Sequence, residues 1–427
     1  MGCMRSDILA EEWGVITRFL PDGWQELARS TGTLKRARQV RSADVLLRLA
    51  FLYAASGLSL QQAAARATTA GLARISSVGL MKRMRSAGPW LRALAEGVFA
   101  ESARMPSLEA VPAGRRLRIV DATHVRVSGS SGTDWRLHYV LGLPTLTCDF
   151  AEVTDAKGGE TYTRVPVRPG DVILGDRGYS HRGGVAHVLD CGGDVVVRLN
   201  ATNFPLVGSN GEPLDLVATM RSIAGHAPES WPVRFQANDQ EYEARLCAVR
   251  KSASAAQLSK ERLLKAARKR GKTVQDQTLE MAEYVFVLAT PGVNDLTAGE
   301  VLELYRARWQ IELGFKRLKS LFEVGSAPNR DPEAVKSWIY AKLLAVLLIE
   351  RLGEESRLFP PGASRWEVGS RWREFREACD AFLAVVSLPS LPSELLSRGR
   401  ELRQRLLERP RKRVAQLAAT PCVNLLS

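Results

Sequence analysis

The sequence predicts an α/β protein whose core is interrupted by a β-rich insertion and flanked by helical N- and C-terminal regions. Three observations predict it. Residues 1 to about 110 are dominated by Ala, Leu and Arg, with few β-branched runs and few prolines before Pro89 and Pro106, a composition of helix formers. From about 115, short β-branched apolar runs take over and then alternate with a helical pattern, as in an α/β core. From Thr297 the helical period returns. The division expected is residues 1–112, helical; 113–200, first part of the core; 201–296, insertion; 297–352, second part of the core; and 353–427, a helical end.

In the first region, Val45 to Ala54 forms an apolar helix, followed by Gly57-Leu58-Ser59-Leu60 and a second helix that Ser59 can cap. A turn near Thr69 to Gly71 leads to Ser76-Ser77 and a third helix carrying Lys82, Arg83 and Arg85. Helix, short Gly-containing turn and basic helix is the layout of a helix-turn-helix; a plain three-helix bundle with solvated arginines is the competing reading. In the core, strands are expected at Leu117 to Asp121 with His124 to Val127, at Trp135 to Leu143, Thr145 to Thr154 and Val172 to Leu174. A helix over His181 to Leu189 and a strand over Asp194 to Leu199 follow. The insertion shows strand-like pieces at Val233 to Phe235, Glu243 to Val249 and Tyr284 to Leu288. They enclose the basic segment Leu258 to Lys272, which is either a solvated helix face or a phosphate contact. Thr297 to Leu321 reads as one long helix and Glu333 to Leu352 as an apolar one; the chain beyond about Arg371 reads as helical, ending in the basic stretch Arg405 to Arg413.

Composition narrows the function classes. With 60 Lys+Arg against 46 Asp+Glu the net charge is +14, which favours a polyanionic partner because each neutralised phosphate releases counterions. The six cysteines are scattered with no C-x-x-C pair, so neither a zinc site nor a disulfide framework is expected. The N-terminus lacks the order of a signal peptide. The most apolar stretch, Trp338 to Ile349, is broken by Lys342 and too short to span a bilayer. A cytoplasmic protein without a membrane partner is expected.

The chemistry-bearing residues are carboxylates. Asp121 closes the apolar run Leu117 to Val120, where an unpartnered charge is unfavourable. Asp176 closes Val172 to Gly175 and precedes Arg177-Gly178-Tyr179, with Gly178 expected to permit a sharp turn. Each alone could be a strand-end Asp capping a turn. The third element is more specific. Arg308, Glu312 and Lys319 follow Tyr305 at successive offsets of three, four and seven, which at about 100° per residue places all four within about 60° of one helix face. Leu304, Ile311, Phe315 and Leu318 form the neighbouring apolar stripe, so Glu312 is expected at the rim of the buried face. Acids at the ends of buried elements are the footprint of hard divalent cations, which take oxygen ligands and promote in-line displacement at phosphorus.

The spacing Y-x2-R-x3-E-x6-K, here YRARWQIELGFKRLK, resembles the signature of a large group of bacterial insertion-sequence transposases of the DDE class. VDATHVRVSGSSGTDWRLHY is similar to that group's first-Asp block and ILGDRGYS to its second, so the resemblance runs from about 115 to 350. It implies a ribonuclease-H-like catalytic core and a metal-dependent enzyme that cleaves transposon ends and transfers strands into target DNA. By resemblance Asp121 bridges two Mg²⁺ ions, for which Mn²⁺ can substitute, while Asp176 and Glu312 each complete one site. Tyr305, Arg308 and Lys319 would grip phosphates near the transposon end. Relatives excise through a hairpin and flip a base onto an aromatic residue of the insertion; Trp231 is the candidate here, with a core Trp as the alternative. The implied partners are double-stranded DNA, as terminal inverted repeats and target, and a second copy of the chain through the C-terminal helices, in a nucleoid-associated complex. Asp155, Glu160 and Asp171 lie near the expected site, where Glu160, in Lys157-Gly158-Gly159-Glu160, could support the direct metal ligands. Arg136 and His138 alternate along one strand face and could approach the metal site or simply the solvent. A nuclease on the same fold that does not join strands, and a silent DNA-binding protein, are the alternatives.

Overall fold

The computed structural model describes residues 13–35, 39–102, 115–143, 147–290, 296–309, 311–312, 315, 319, 324–355, 379–380, 382–383 and 385–386. The stretch Arg405 to Arg413 lies outside the described residues.

Helices α1 (Trp24–Ser30), α2 (Ala43–Ala54), α3 (Leu60–Thr69) and α4 (Ser77–Ser102) lead the chain. Their starts follow from local chemistry. The Ser42 hydroxyl accepts from the Val45 amide at 3.2 Å. Ser59 makes a reciprocal capping box with Gln62, satisfying two amides that the first turn leaves open. Ser76 accepts from Gly79 at 3.1 Å, and the helix that follows runs through Pro89.

Strands β1 (Arg116–Val127), β2 (Trp135–Leu143), β3 (Thr147–Asp155), β4 (Asp171–Gly175), helix α5 (Arg182–Asp190) and β5 (Asp194–Arg198) come next. Then follow β6 (Val207–Gly208), α6 (Leu216–Arg221), β7 (Glu229–Ala237), β8 (Gln240–Arg250), α7 (Ala253–Lys269), α8 (Asp276–Met281), β9 (Tyr284–Ala289) and α9 (Ala298–Arg306), and α10 spans Pro332–Glu355. The chain divides into two compact units, residues 1–95 with 327–427, and residues 96–326.

In the first unit α2 is buried on nearly every side, from Leu46 through Ala54 except Arg48, and α10 packs against it. Lys342, the charge inside the apolar stretch of α10, is buried with its ammonium 4.4 Å from the Trp338 ring centre. Among the described residues, no helix is long and apolar enough to cross a membrane.

The second unit is built on a mixed sheet in the order β3-β2-β1-β4-β5-β9-β8-β7-β6. β1, β2 and β3 form an antiparallel meander, and β4 and β5 add to β1 in parallel. The strands between 229 and 289 extend this sheet antiparallel from the edge of β5. Val120, Ile173 and Val197 of the first strands share one buried cluster with Phe235, Leu246 and Leu288 of the later ones.

The pairing of β1 with β4 is fixed at its far end by a buried ion network. Arg118 donates to both carboxylate oxygens of Asp149 at 2.8 Å and to Asp171 at 3.0 Å, and Arg116 reaches the same Asp171 at 2.7 and 2.9 Å. Asp171, one of the acids left without a role in the sequence, belongs here and not to the catalytic acids.

One expectation requires correction. The stretch expected as a single helix from Thr297 to Leu321 is α9 followed by a 3-10 turn over Ala307–Trp309, with Ile311, Glu312 and Phe315 helical and Lys319 in a π-helical turn. A 3-10 turn advances about 120° per residue where an α-helix advances about 100°. Hydrophobic spacing does not distinguish the two over so short a run.

Candidate active site

Two of the expected acids are brought together by strand register. In the parallel pair β1–β4, Ile119 lies opposite Leu174. Asp121 and Asp176 each stand two residues beyond that pair, on adjacent strands about 4.8 Å apart. Asp176 directly follows β4, whereas Asp121 lies in the middle of β1 opposite Tyr139 and not at a strand end. Asp176 leaves β4 in extended conformation and caps the following 3-10 turn, its Oδ1 accepting from the Gly178 amide at 2.8 Å. Asp121 Oδ1 accepts from the Ala122 amide at 2.7 Å.

The electrostatics record this proximity. The Asp121 carboxyl is pushed up to about 7, first by burial and then by the negative charge of Asp176; the Ala122 amide and Arg308 pull it down, and Glu160 adds to the rise. Glu160 is itself raised, by burial first and then by Asp176, against a downward pull from Arg136. Glu160 thus joins the two aspartates, whereas Asp155 does not: it is exposed and caps a turn by accepting from the Lys157 and Gly158 amides. Of the strand-face pair left open by the sequence, Arg136 donates to the Gly158 carbonyl at 3.0 Å beside Glu160. His138 is buried against Thr154 at 2.9 Å, its pKa lowered to about 4 by burial and by Arg164 and Arg136.

The helix-borne residues approach from the other side. Arg308 bridges two acids: its Nη1 lies 3.7 Å from Asp121 Oδ2, and its Nη2 donates to Glu312 Oε1 at 3.4 Å. Tyr305 hydrogen-bonds Arg308, and its hydroxyl is raised by burial while Arg308 and Arg198 oppose the rise. Phe315 packs on Tyr139 of β2 with ring centres 5.9 Å apart, and Ile311 is fully buried. Glu312 is nevertheless 66 % exposed, a correction to its expected place at the rim of the buried face. Its carboxylate meets Arg308, its i,i+4 neighbour, and not the aspartate pair. Lys319 is exposed and close enough to His124 on β1 to lower that imidazole, after burial and Arg136. Trp231 lies on β7 opposite Leu246, half-buried against the shared core.

Gly178 is not required for the sharp turn expected of it: its backbone is not in the left-handed region that Gly170 and Gly192 adopt. It is glycine because a Cβ there would lie 2.1 Å from Glu160 Oε2. No spacing rule connects the two positions, so sequence reasoning had no signal for this contact.

The model of a transposase DDE domain matches residues 112–348, more than half of the chain. The chain belongs to this family. It is 34% identical over 361 residues to a putative transposase, InsL, of insertion sequence element IS186A from Escherichia coli K12, covering 82% of this chain and 96% of the relative. Identity is again 34%, over 362 residues, to the transposase of insertion sequence element IS421 from Escherichia coli, with the same shares covered. The transposase of IS231E from Bacillus thuringiensis subsp. finitimus is 25% identical over 198 residues, covering 43% of this chain and 41% of that one. Among solved structures, a piggyBac transposase synaptic complex with hairpin DNA is similar at a TM-score of 0.47 and 10% identity, covering 95% of this chain and 84% of that chain.

The family generally uses divalent metal ions. Asp121 and Asp176 fit such an ion as donors: both offer hard oxygen ligands, and each raises the need for positive charge beside the other. Glu312 does not complete the set in this arrangement. Among the described residues no three acids, histidines or cysteines converge on one metal position; Arg308 supplies the positive charge between Asp121 and Glu312.

Proposed function

We propose that this DDE transposase cleaves the ends of its element and joins them to target DNA by Mg²⁺-dependent cut-and-paste chemistry, with Asp121, Asp176 and Glu312 as its catalytic acids. The observation that carries this reading is the shared register of β1 and β4, which sets Asp121 beside Asp176, with Arg308 tying Glu312 to Asp121. The strand order 3-2-1-4-5, in which β2 alone runs opposite to the other four, supports a ribonuclease-H-like core. Tyr305, Arg308, Glu312 and Lys319 at their observed spacing support membership in the Y-x2-R-x3-E-x6-K group.

In this reading Asp121 and Asp176 would hold the cations from the sheet, and Glu312 would be free to join them once a DNA phosphate takes Arg308. Bound divalent cations supply Lewis acidity to the attacking and leaving oxygens. Water attacks the phosphodiester at the element's end and displaces the element's 3′-oxygen, which takes up a proton, leaving a 5′-phosphate on the flanking strand. The freed 3′-hydroxyl then attacks a phosphodiester of the opposite strand or the target, losing its proton and displacing that strand's 3′-oxygen as a hydroxyl. Arg308 suits bidentate phosphate contact and Lys319 a point-charge contact, while Tyr305 orients Arg308. Trp231 is the aromatic proposed to receive a flipped base. The helix pair α3–α4, with exposed Lys82, is proposed to read the terminal repeat. Helix α7 presents exposed Arg262, Lys265, Arg268 and Lys269 away from its buried Ala256, a charged face suited to the DNA backbone. Two copies of the chain would hold the two ends.

The test is a labelled terminal-repeat duplex incubated with the full chain, Mg²⁺ and a target plasmid. Wild type is expected to cleave and to join the freed 3′ ends to the plasmid, and Asp176→Asn to do neither. Cleavage without joining would leave a nuclease in its place, and wild-type cleavage by Asp176→Asn would remove the acid assignment.

A further inference from the structure

The sheet side of the site carries an acid outside the three. Glu160 precedes Asp176 by sixteen residues, yet its carboxylate lies over the turn that follows Asp176. A Cβ built on Gly178 would stand 2.1 Å from Glu160 Oε2 and 3.1 Å from Asp176 Oδ1, so these acids face the same small backbone surface. The segment that delivers Glu160 is pinned by three donors: His181 Nε2 to the Glu160 carbonyl at 2.9 Å, Arg164 Nε to that of Gly159 at 3.1 Å, and Arg136 Nη1 to that of Gly158 at 3.0 Å.

A structural carboxylate at such a place would be expected to pair with a cation, as Asp149 and Asp171 pair with Arg118. Glu160 makes no ion pair with a described residue. Two buried phenols also point into the same space. Tyr162 and Tyr179 pack with ring centres 5.2 Å apart, are 0% and 1% exposed, and neither hydroxyl has a hydrogen-bond partner. Tyr179 feels the charges of Asp121, Glu160 and Asp176, and Tyr162 that of Asp176. Gly175 is glycine for the same kind of reason as Gly178, since a Cβ there would lie 2.1 Å from the Tyr162 hydroxyl. Unpaired acids and unpartnered buried hydroxyls in one place mark a polar ligand site.

We propose that Glu160, seated over Gly178, is a fourth acid beside the cation site: it is not a direct ligand converging with Asp121 and Asp176, and its carboxylate next to them strengthens their hold on the divalent ion. This rests on the reading of those two aspartates as cation ligands. Carboxylates around a metal's direct ligands alter affinity by about 10- to 100-fold, which sets the scale of the effect.

The experiment titrates Mn²⁺ into the full chain without DNA and reads free Mn²⁺ by electron paramagnetic resonance, with a thermal melt to establish that each variant is folded. Glu160→Gln is expected to weaken binding about 10-fold or more. Gly178→Ala should weaken it similarly, because the added methyl displaces the flexible end of Glu160 and leaves the acid in the chain. The double variant should be no weaker than either single one, since both remove the same interaction. A merely structural role would lower the melting temperature and leave the affinity of the folded protein unchanged. Wild-type affinity in Glu160→Gln and Gly178→Ala, with affinity lost in Asp176→Asn, would overturn the role of Glu160 and leave the aspartate reading standing. Additive losses in the double variant would overturn the seat over Gly178. No binding by wild type, or wild-type affinity in Asp176→Asn, would remove the aspartate reading and this proposal with it. Should Glu160→Gln fail to fold, Gly178→Ala decides.

Discussion

The two sides of the active site are built by different means. On the sheet side, Asp121 and Asp176 inherit their positions from a parallel ladder whose far end is tied by Arg118 to Asp149 and Asp171. On the helix side, Glu312 follows a 3-10 turn, is 66 % exposed, and is placed by the Arg308 guanidinium and by the neighbouring contact of Phe315 with Tyr139. A ladder fixes a carboxylate through many shared hydrogen bonds; an exposed side chain held by one ion pair is fixed weakly. The difference teaches that, on the proposed function, the sheet side would be preformed for cation binding while the helix side would exchange partners, with Arg308 leaving Asp121 and Glu312 for a phosphate.

The sharpest way to break the comparison is chemical. Asp121→Asn and Asp176→Asn are each expected to lower terminal-repeat cleavage by on the order of 10³-fold, about 4 kcal/mol of barrier, measured as initial rates in saturating Mg²⁺. Next in size is the foundation of the sheet side. Arg118→Ala leaves the buried Asp149 carboxylate uncompensated and Asp171 with Arg116 alone among the described cations; an unpaired buried charge destabilises by about 3–5 kcal/mol, and denaturant unfolding should show it. Phe315→Ala loosens only the helix side. It is expected to cost about 1–2 kcal/mol of stability or less, since the ring is partly exposed, yet to slow cleavage without changing Mn²⁺ affinity.

The pH dependence of stability sharpens the sheet side further. The Asp121 carboxyl titrates near 7 in the folded protein, raised from 3.8, so the folded state holds that proton more tightly than the unfolded chain. Its contribution is fully present below about 3.8 and is lost as pH rises through about 7. In chelator, Asp121→Asn should therefore flatten the fall of melting temperature across that window, by a few °C at its upper end. An unchanged slope would show that burial and the charge of Asp176 do not raise Asp121 in solution.

Much of the sheet side was legible in the sequence, because two apolar runs that each lead into an Asp can pair in register; the run before Asp176 does end its strand, whereas β1 continues past Asp121 to Val127. The caps at Ser59 and Ser76 were legible for the same local reason. Glu160 was visible only as a nearby acid, because its contact with Gly178 is made across a loop and carries no periodic signature. Glu312 was legible as a motif residue and misplaced as a side chain. The regular helix assumed for 297–321 gives way at Ala307–Trp309, and apolar spacing has no term for a change of helical pitch. The strands at 229–289 were legible as strands, but their continuation of the core sheet depends on which edge they meet.

The central claim is that Glu312, exposed and paired with Arg308, is nonetheless a catalytic acid equal to the two aspartates. The direct measurement is cleavage of a labelled terminal-repeat duplex by Glu312→Gln beside Asp176→Asn, with DNA binding measured on the same samples. The account expects both variants to bind the duplex and both to lose cleavage by on the order of 10³-fold. Cleavage by Glu312→Gln within about tenfold of wild type, with Asp176→Asn inactive, would contradict it.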